Sequence, residues 1–145
     1  MFKQESLERI EREVLTIVAR VRRMTLESAH RIDPQLSVPA YSVLFLIWQC
    51  GSMRAQAVST ITGADKGTVS RQIAHLESLG LVSRRPDASD GRAQILRLTA
   101  EGKARVDALV QDRRSDFTER LADWSPKDLE VFVGYLNQFN ASLDA

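Results

Sequence analysis

Residues 65–99 read DKGTVSRQIAHLESLGLVSRRPDASDGRAQILRLT, and the fold turns on how this stretch divides. Val69, Ile73 and Leu76 recur at helical spacing, which predicts a helix from Asp65 to Leu79 with one apolar face. Asp65 is a good N-cap residue, and Gly80 is a natural stop. Leu81–Arg85 and Gln94–Thr99 then read as two strands around a Pro86–Ala93 loop, with Leu96 and Leu98 alternating toward a core. Just upstream, a short helix from Arg54 to Ile61 and the turn Thr62-Gly63-Ala64 complete a helix-turn-helix pattern.

Opposite the apolar stripe lie Gly67, Thr68, Arg71, His75 and Ser78, flanked by Lys66, Ser70 and Gln72. Such groups read base edges or grip phosphates, and they concentrate toward the N-terminal half of the helix. Glu77 is the one acid after the cap, whereas a merely solvated face mixes Glu with Lys. The hairpin adds arginines that its turn does not need. Arg92 at the tip is suited to a narrow, electronegative minor groove, and Asp90 is spaced to hold its guanidinium. Arg84 and Arg85 at the base suit phosphate contacts. Alone, the Asp-Arg pair reads as an ordinary turn salt bridge; directly after a recognition helix it reads as functional.

Charge follows the same geography. The chain has 145 residues and a net charge of +1, but residues 54–97 carry seven basic and four acidic side chains, net +3. Residues 99–145 carry six basic and nine acidic ones, net −3, and residues 34–53 carry none. The middle of the chain is the part that favours an anionic partner.

Further out, Leu7, Ile10, Val14, Ile17, Val21 and Met24 form a heptad seam on a first helix that Asp33-Pro34 ends. One short seam has no partner within itself, so it calls for another long helix. Residues 38–50, VPAYSVLFLIWQC, make a second helix with Pro39 in its first turn and Gly51 closing it; being apolar almost all round, it is a central buried helix. Thr99 caps a long helix over about residues 100–123. Ser125-Pro126, with Asp128 following, starts a last helix bearing the stripe Leu129, Phe132, Val133, Leu136, Phe139 and Leu143. The fold class is mainly α with a small β wing, in the order α-α-α-α-β-β-α-α.

The stretch from Asp65 to Gly102 resembles the winged-helix core of the MarR family of bacterial transcription regulators. Its wing pattern, Asp-x-Arg, five residues, then Leu-Thr, is met by Asp90, Arg92, Leu98 and Thr99, and TVSR and LESLGLV accompany it. The flanking helices match the family's layout, so the resemblance spans nearly the whole chain. It implies one domain over 1–145, with a winged helix-turn-helix core at 36–99 and dimerisation helices at 1–33 and 100–145. It implies a homodimer that binds a roughly palindromic operator on double-stranded DNA, with half-sites about one turn (~10 bp) apart. The DNA-binding set would be Lys66, Thr68, Ser70, Arg71, Gln72, His75, Arg84, Arg85, Asp90 and Arg92. It also implies a repressor released by a small lipophilic or phenolic anion. Two departures stand out: RAQAVSTIT is small and polar where many relatives are leucine-rich, and Gly67 stands where many carry serine.

Tyr41, Phe45 and Trp48 fall at i, i+4 and i+7 in the region of such an effector pocket; the same spacing equally describes core. Cys50 lacks the N-terminal placement of the family's peroxide sensors and reads as a buried apolar thiol. As the single cysteine it excludes an internal disulfide framework and fits a reducing compartment. The charged N-terminus is not a signal peptide, and no apolar run is long enough to span a bilayer, so the reading is cytoplasmic. Two histidines and one cysteine leave no metal set, cofactor loop or catalytic triad, so an enzyme is not expected. Two rivals stay open: a winged-helix protein-interaction module, which would expose apolar anchors on the outer face, and a DNA-binding regulator without a ligand.

Overall fold

The computed structural model describes residues 2–144. In chain order the elements are α1 (Phe2–Ile32), α2 (Val38–Cys50), β1 (Met53–Arg54), α3 (Ala55–Thr62), α4 (Lys66–Ser78), β2 (Val82–Pro86), β3 (Gln94–Leu98), α5 (Ala100–Arg120) and α6 (Pro126–Leu143). The chain divides into two compact units, Met1–Leu109 and Val110–Ala145.

In the first unit α2 is the central helix. Ser37 caps it by accepting the Ala40 N–H, Pro39 occupies the first turn, and Gly51 ends it at φ 77°. Its buried residues Val43, Leu44 and Ile47 share the core with Val58, Ile73, Leu76, Leu81, Leu96 and Val106. Each large aliphatic side chain buried there contributes about 1.5–3 kcal/mol. α3 supplies only Val58 to this core: its other residues are small or polar except Ile61, which is exposed.

The end of α4 is locked in several ways. Gly80 adopts φ 72°, and two backbone bonds close a Schellman turn: Leu81 N–H to Leu76 O at 3.0 Å and Gly80 N–H to Glu77 O at 2.9 Å. Leu76 and Leu81, the hydrophobic pair of that motif, are fully buried. Thr99 then ties the far end of the wing to this turn. Its hydroxyl donates to Gly80 O at 2.6 Å and accepts the Gly102 N–H at 3.0 Å, while its own N–H donates to Leu81 O at 3.0 Å. A Cβ at Gly102 would stand 2.2 Å from Leu81 O, so only glycine lets α5 start this close to the strand.

The sheet is antiparallel in the order β1-β3-β2, with Arg84 opposite Leu96, Arg85 opposite Ile95, and Met53 opposite Leu96 on the other side. β1 is the element missing from the sequence reading: two residues carry no periodicity, and β3 creates the strand by pairing with them. α5 ends at Arg120 rather than near 123, because Leu121–Trp124 form turns ahead of the Ser125 cap. Cys50 is exposed rather than buried. It is the last residue of α2, past the face that meets the core.

The seam residues Leu7, Ile10, Ile17, Val21 and Met24 on α1 are 42–56% exposed, far from core values. In the second unit, Ser125 caps α6 by accepting the Asp128 N–H at 3.1 Å, and Trp124 meets Phe132 edge-on at 5.4 Å. Phe132, Val133, Leu136 and Phe139 are all exposed, and α6 buries no residue. No described helix is long and apolar enough to cross a membrane.

Candidate nucleic-acid interface

Asp65 starts α4 by accepting the Thr68 N–H at 2.6 Å. That bond, then the Thr68 hydroxyl, holds the Asp65 carboxyl below its ordinary range. Val69, Ile73 and Leu76 point inward and are buried, as their spacing predicts. Lys66, Ser70 and Arg71 are exposed, while Thr68 and Gln72 are half-buried. Arg71 donates to the Thr68 hydroxyl at 3.2 Å, which steadies its long side chain beside the helix N-terminus. The positive end of the helix dipole adds to this surface.

The wing tip is a closed loop. Asp87 N–H donates to Ala93 O at 2.9 Å, Ala93 N–H to Asp90 O at 3.0 Å, and Asp87 Oδ1 accepts both the backbone N–H and the hydroxyl of Ser89 at 3.0 Å. The Ser89 N–H is the main reason the Asp87 carboxyl lies below its usual range. Asp90 acts differently from its expected role. Its Oδ1 accepts the backbone N–H of Arg92 at 3.0 Å, so it shapes the turn and leaves the guanidinium free. Arg85 and Arg92 are exposed.

Arg84 also differs. It lies on the inward face of β2 and donates Nε and Nη2 to Glu77 Oε1, the first at 2.9 Å, which braces the wing against α4. A phosphate would have to compete with that carboxylate. A second brace joins Arg54 Nη2 to Asp87 Oδ2 at 2.5 Å, linking β1 to the wing. His75, expected on the reading face, instead lies with Nε2 3.0 Å from Gln35 O. The sequence reading missed both Glu77 and Asp87 as partners. Their arginines lie 7 and 33 positions away: the packing of β2 beside α4 brings Arg84 to Glu77, and the sheet order brings Arg54 to Asp87.

Between α3, α4 and the wing lies a concavity of about 390 Å³ whose lining includes Arg54, Lys66, Ser70, Arg84, Arg92 and Gln94. It gathers four cations, two of them answered by acids. The aromatic set lies elsewhere on α2: Tyr41 and Phe45 have ring centroids 6.0 Å apart, and Phe45 and Trp48 5.2 Å. Tyr41 is buried, and the Trp48 indole donates to Asp107 Oδ1 at 2.8 Å. Lys103 at 2.6 Å, then that indole N–H, holds the Asp107 carboxyl low. Among the described residues, no group of three or more His, Cys, Asp or Glu is placed to hold a metal ion.

Residues 36–93 match the model of the MarR family. The HTH-type transcriptional regulator YxaD of Bacillus subtilis is 30% identical over 140 residues, covering 97% of this chain and 96% of its own. The chain belongs to the MarR family. A MarR family protein from Bacillus stearothermophilus has the same fold, with a TM-score of 0.81 at 18% identity over 98% of each chain. A second solved structure, a mutant of Escherichia coli MarR complexed with operator DNA, aligns with a TM-score of 0.59 at 19% identity over 88% of this chain and 91% of that one. For a MarR-family regulator, the small polar α3 and the glycine at position 67 remain the local peculiarities of this sequence. A Cβ at Gly67 would meet Arg71 Nη1 and Asp65 Oδ1 at 3.5 Å, ordinary contact, so the glycine is no steric necessity.

Proposed function

We propose that this MarR-family transcription regulator is a cytoplasmic homodimer that represses promoters by binding a pseudo-palindromic operator. The observation that carries this reading is the pairing of two exposed surfaces: the first turns of α4, free of acid after the cap, and Arg92, unpaired among the described residues, on a wing tip shaped by its own turns. Lys66, Thr68, Ser70, Arg71 and Gln72 enter the major groove or grip its phosphates, Arg92 enters the neighbouring minor groove, and Arg85 meets the backbone. The operator complex of the E. coli protein, which shares this fold, supports the assignment. The exposed seam of α1 and the exposed stripe of α6 support a second copy as partner, since isolated apolar faces of this length need covering. The winged-helix core at 36–99 reads the DNA, and 1–33 with 100–145 pair the protomers. The protein acts by binding and catalyses nothing.

A small lipophilic or phenolic anion against Tyr41, Phe45 and Trp48 is the proposed release signal. Such a ligand changes the spacing of the two α4 helices, and only one spacing fits successive major grooves. Selection from random duplex DNA, followed by titration at several salt concentrations, tests the reading. An inverted repeat with half-sites about 10 bp apart and a steep salt slope is expected. Arg92→Ala should weaken binding at least about tenfold, one or more charge-assisted contacts, with the sedimentation coefficient unchanged. Unaltered affinity in that variant overturns the role of the wing.

A further inference from the structure

His75 shares a helix face with Thr68 and Arg71, yet its chemistry is engaged elsewhere. Gln35 O can only accept, so the nitrogen facing it at 3.0 Å, Nε2, carries the proton and donates it to the backbone. Gln35 sits in the short joint between α1 and α2, which is pinned throughout. Asp33 Oδ1 accepts the Gln35 N–H at 2.8 Å, Asp33 O accepts the Leu36 N–H at 3.0 Å, and the Leu36 side chain is fully buried. Arg105 of α5 completes the clamp, donating to Ile32 O at 2.7 Å, lying 3.6 Å from Asp33 and pairing with Glu101. The joint is therefore rigid where His75 touches it.

We infer that His75 is a positioning residue: its bond to the Gln35 carbonyl sets the roll of α4 and ties the face that α4 presents to α1 and α5. This rests on the reading of α4 as the DNA-reading helix. His75 lies ten positions beyond the cap, about 15 Å along the axis from the N-terminal end, while base contacts concentrate at that end. A roll of about 10° moves an atom about 6 Å from the helix axis by about 1 Å. That is enough to spoil a bidentate hydrogen bond, whose useful range is only about 0.5 Å wide. One bond far from the bases thus governs all the contacts of the first turns together.

The test uses the full chain and the duplex that the wild type selects. His75→Leu removes the donor at similar volume, and His75→Gln keeps an amide N–H near the position of Nε2. His75→Leu should bind about tenfold more weakly, the worth of roughly one net hydrogen bond, with the order of preferred bases unchanged, discrimination weakened evenly across the positions that α4 reads rather than at one of them, and the salt slope as in the wild type. His75→Gln should recover to within about threefold. With the clamp released by Arg105→Gln, adding His75→Leu should cost less than about threefold, because the two changes act on one joint. A changed preference at one base pair in His75→Leu, wild-type affinity in that variant, or no recovery in His75→Gln overturns the inference and leaves DNA reading intact. A wild type that enriches no duplex overturns both. Nitrogen-15 spectra of His75 supply a check that needs no variant. The Nε2–H tautomer should persist on binding DNA, and its loss refutes the positioning role.

Discussion

Gly102→Ala sets two physical rules against each other. Replacing glycine by alanine inside a helix gains about 0.8–1 kcal/mol of propensity, so α5 taken alone should become more stable. The Cβ, however, would stand 2.2 Å from Leu81 O, about 1 Å inside an ordinary contact, and 3.0 Å from the same carbonyl carbon. The obstacle is backbone, so no side chain can swing away. That carbonyl accepts the Thr99 N–H, and Thr99 in turn accepts from Gly102, so relief by moving α5 breaks the knot that closes the wing. Overpacking costs about 1–3 kcal/mol, and each lost bond about 0.5–1.5 kcal/mol. After the gain in propensity, the net is a destabilisation of about 1–3 kcal/mol. At about 3 °C per kcal/mol for a chain of this size, Tm should fall by about 3–9 °C. Thermal unfolding followed by circular dichroism measures this, with both proteins at one concentration because subunit association shifts Tm. An unchanged or raised Tm would show that the close approach of α5 to Leu81 is not tight in solution, and would refute the reasoning.

Glu77→Gln releases Arg84 from its carboxylate, so affinity for random duplex should rise. The slope of log K against log salt should steepen by about 0.9 per freed arginine; an unchanged slope means Arg84 already contacts phosphate. Gly67→Ser should leave Tm equal or higher, by about 0.5 kcal/mol of propensity, and strengthen DNA binding; weaker binding counts against α4's first turn as a phosphate site. Acid should act through carboxyls held low by the Thr68 N–H at Asp65, the Ser89 N–H at Asp87, and Lys103 with the Trp48 indole at Asp107. Because these folded-state values lie below the ordinary 3.8, their contribution is complete above that pH and is lost as pH falls through them. Stability should therefore be insensitive to these groups near neutrality and drop below about pH 4, with Asp65→Asn flattening part of that drop; an unflattened profile refutes the cap's share.

Local rules made most of this fold legible. The caps Asp65 and Ser125, the stops Gly51 and Gly80, and the inward set Val69, Ile73 and Leu76 depend on neighbours within a few residues, and the structure has them where the sequence puts them. The losses share a different origin. β1 exists only because β3 pairs with it, Glu77 meets Arg84 through the placement of β2 beside α4, and Gln35 meets His75 across 40 residues. Arg84 and His75 were therefore legible as polar and outward but not as engaged. Nothing in the sequence singles out the glycine at 102; its necessity appears only with Leu81 beside it.

The two wing braces bear on how such a regulator finds its target. A genome offers about 10⁶–10⁹ competing sites, so occupancy depends on discrimination rather than on raw attraction. Every arginine left bare strengthens the hold on all of them alike. Engaging Arg54 with Asp87 and Arg84 with Glu77 keeps those charges from adding to that indiscriminate hold. Each wrong encounter is shortened, and the share of time on the right sequence is left to the few side chains that read it.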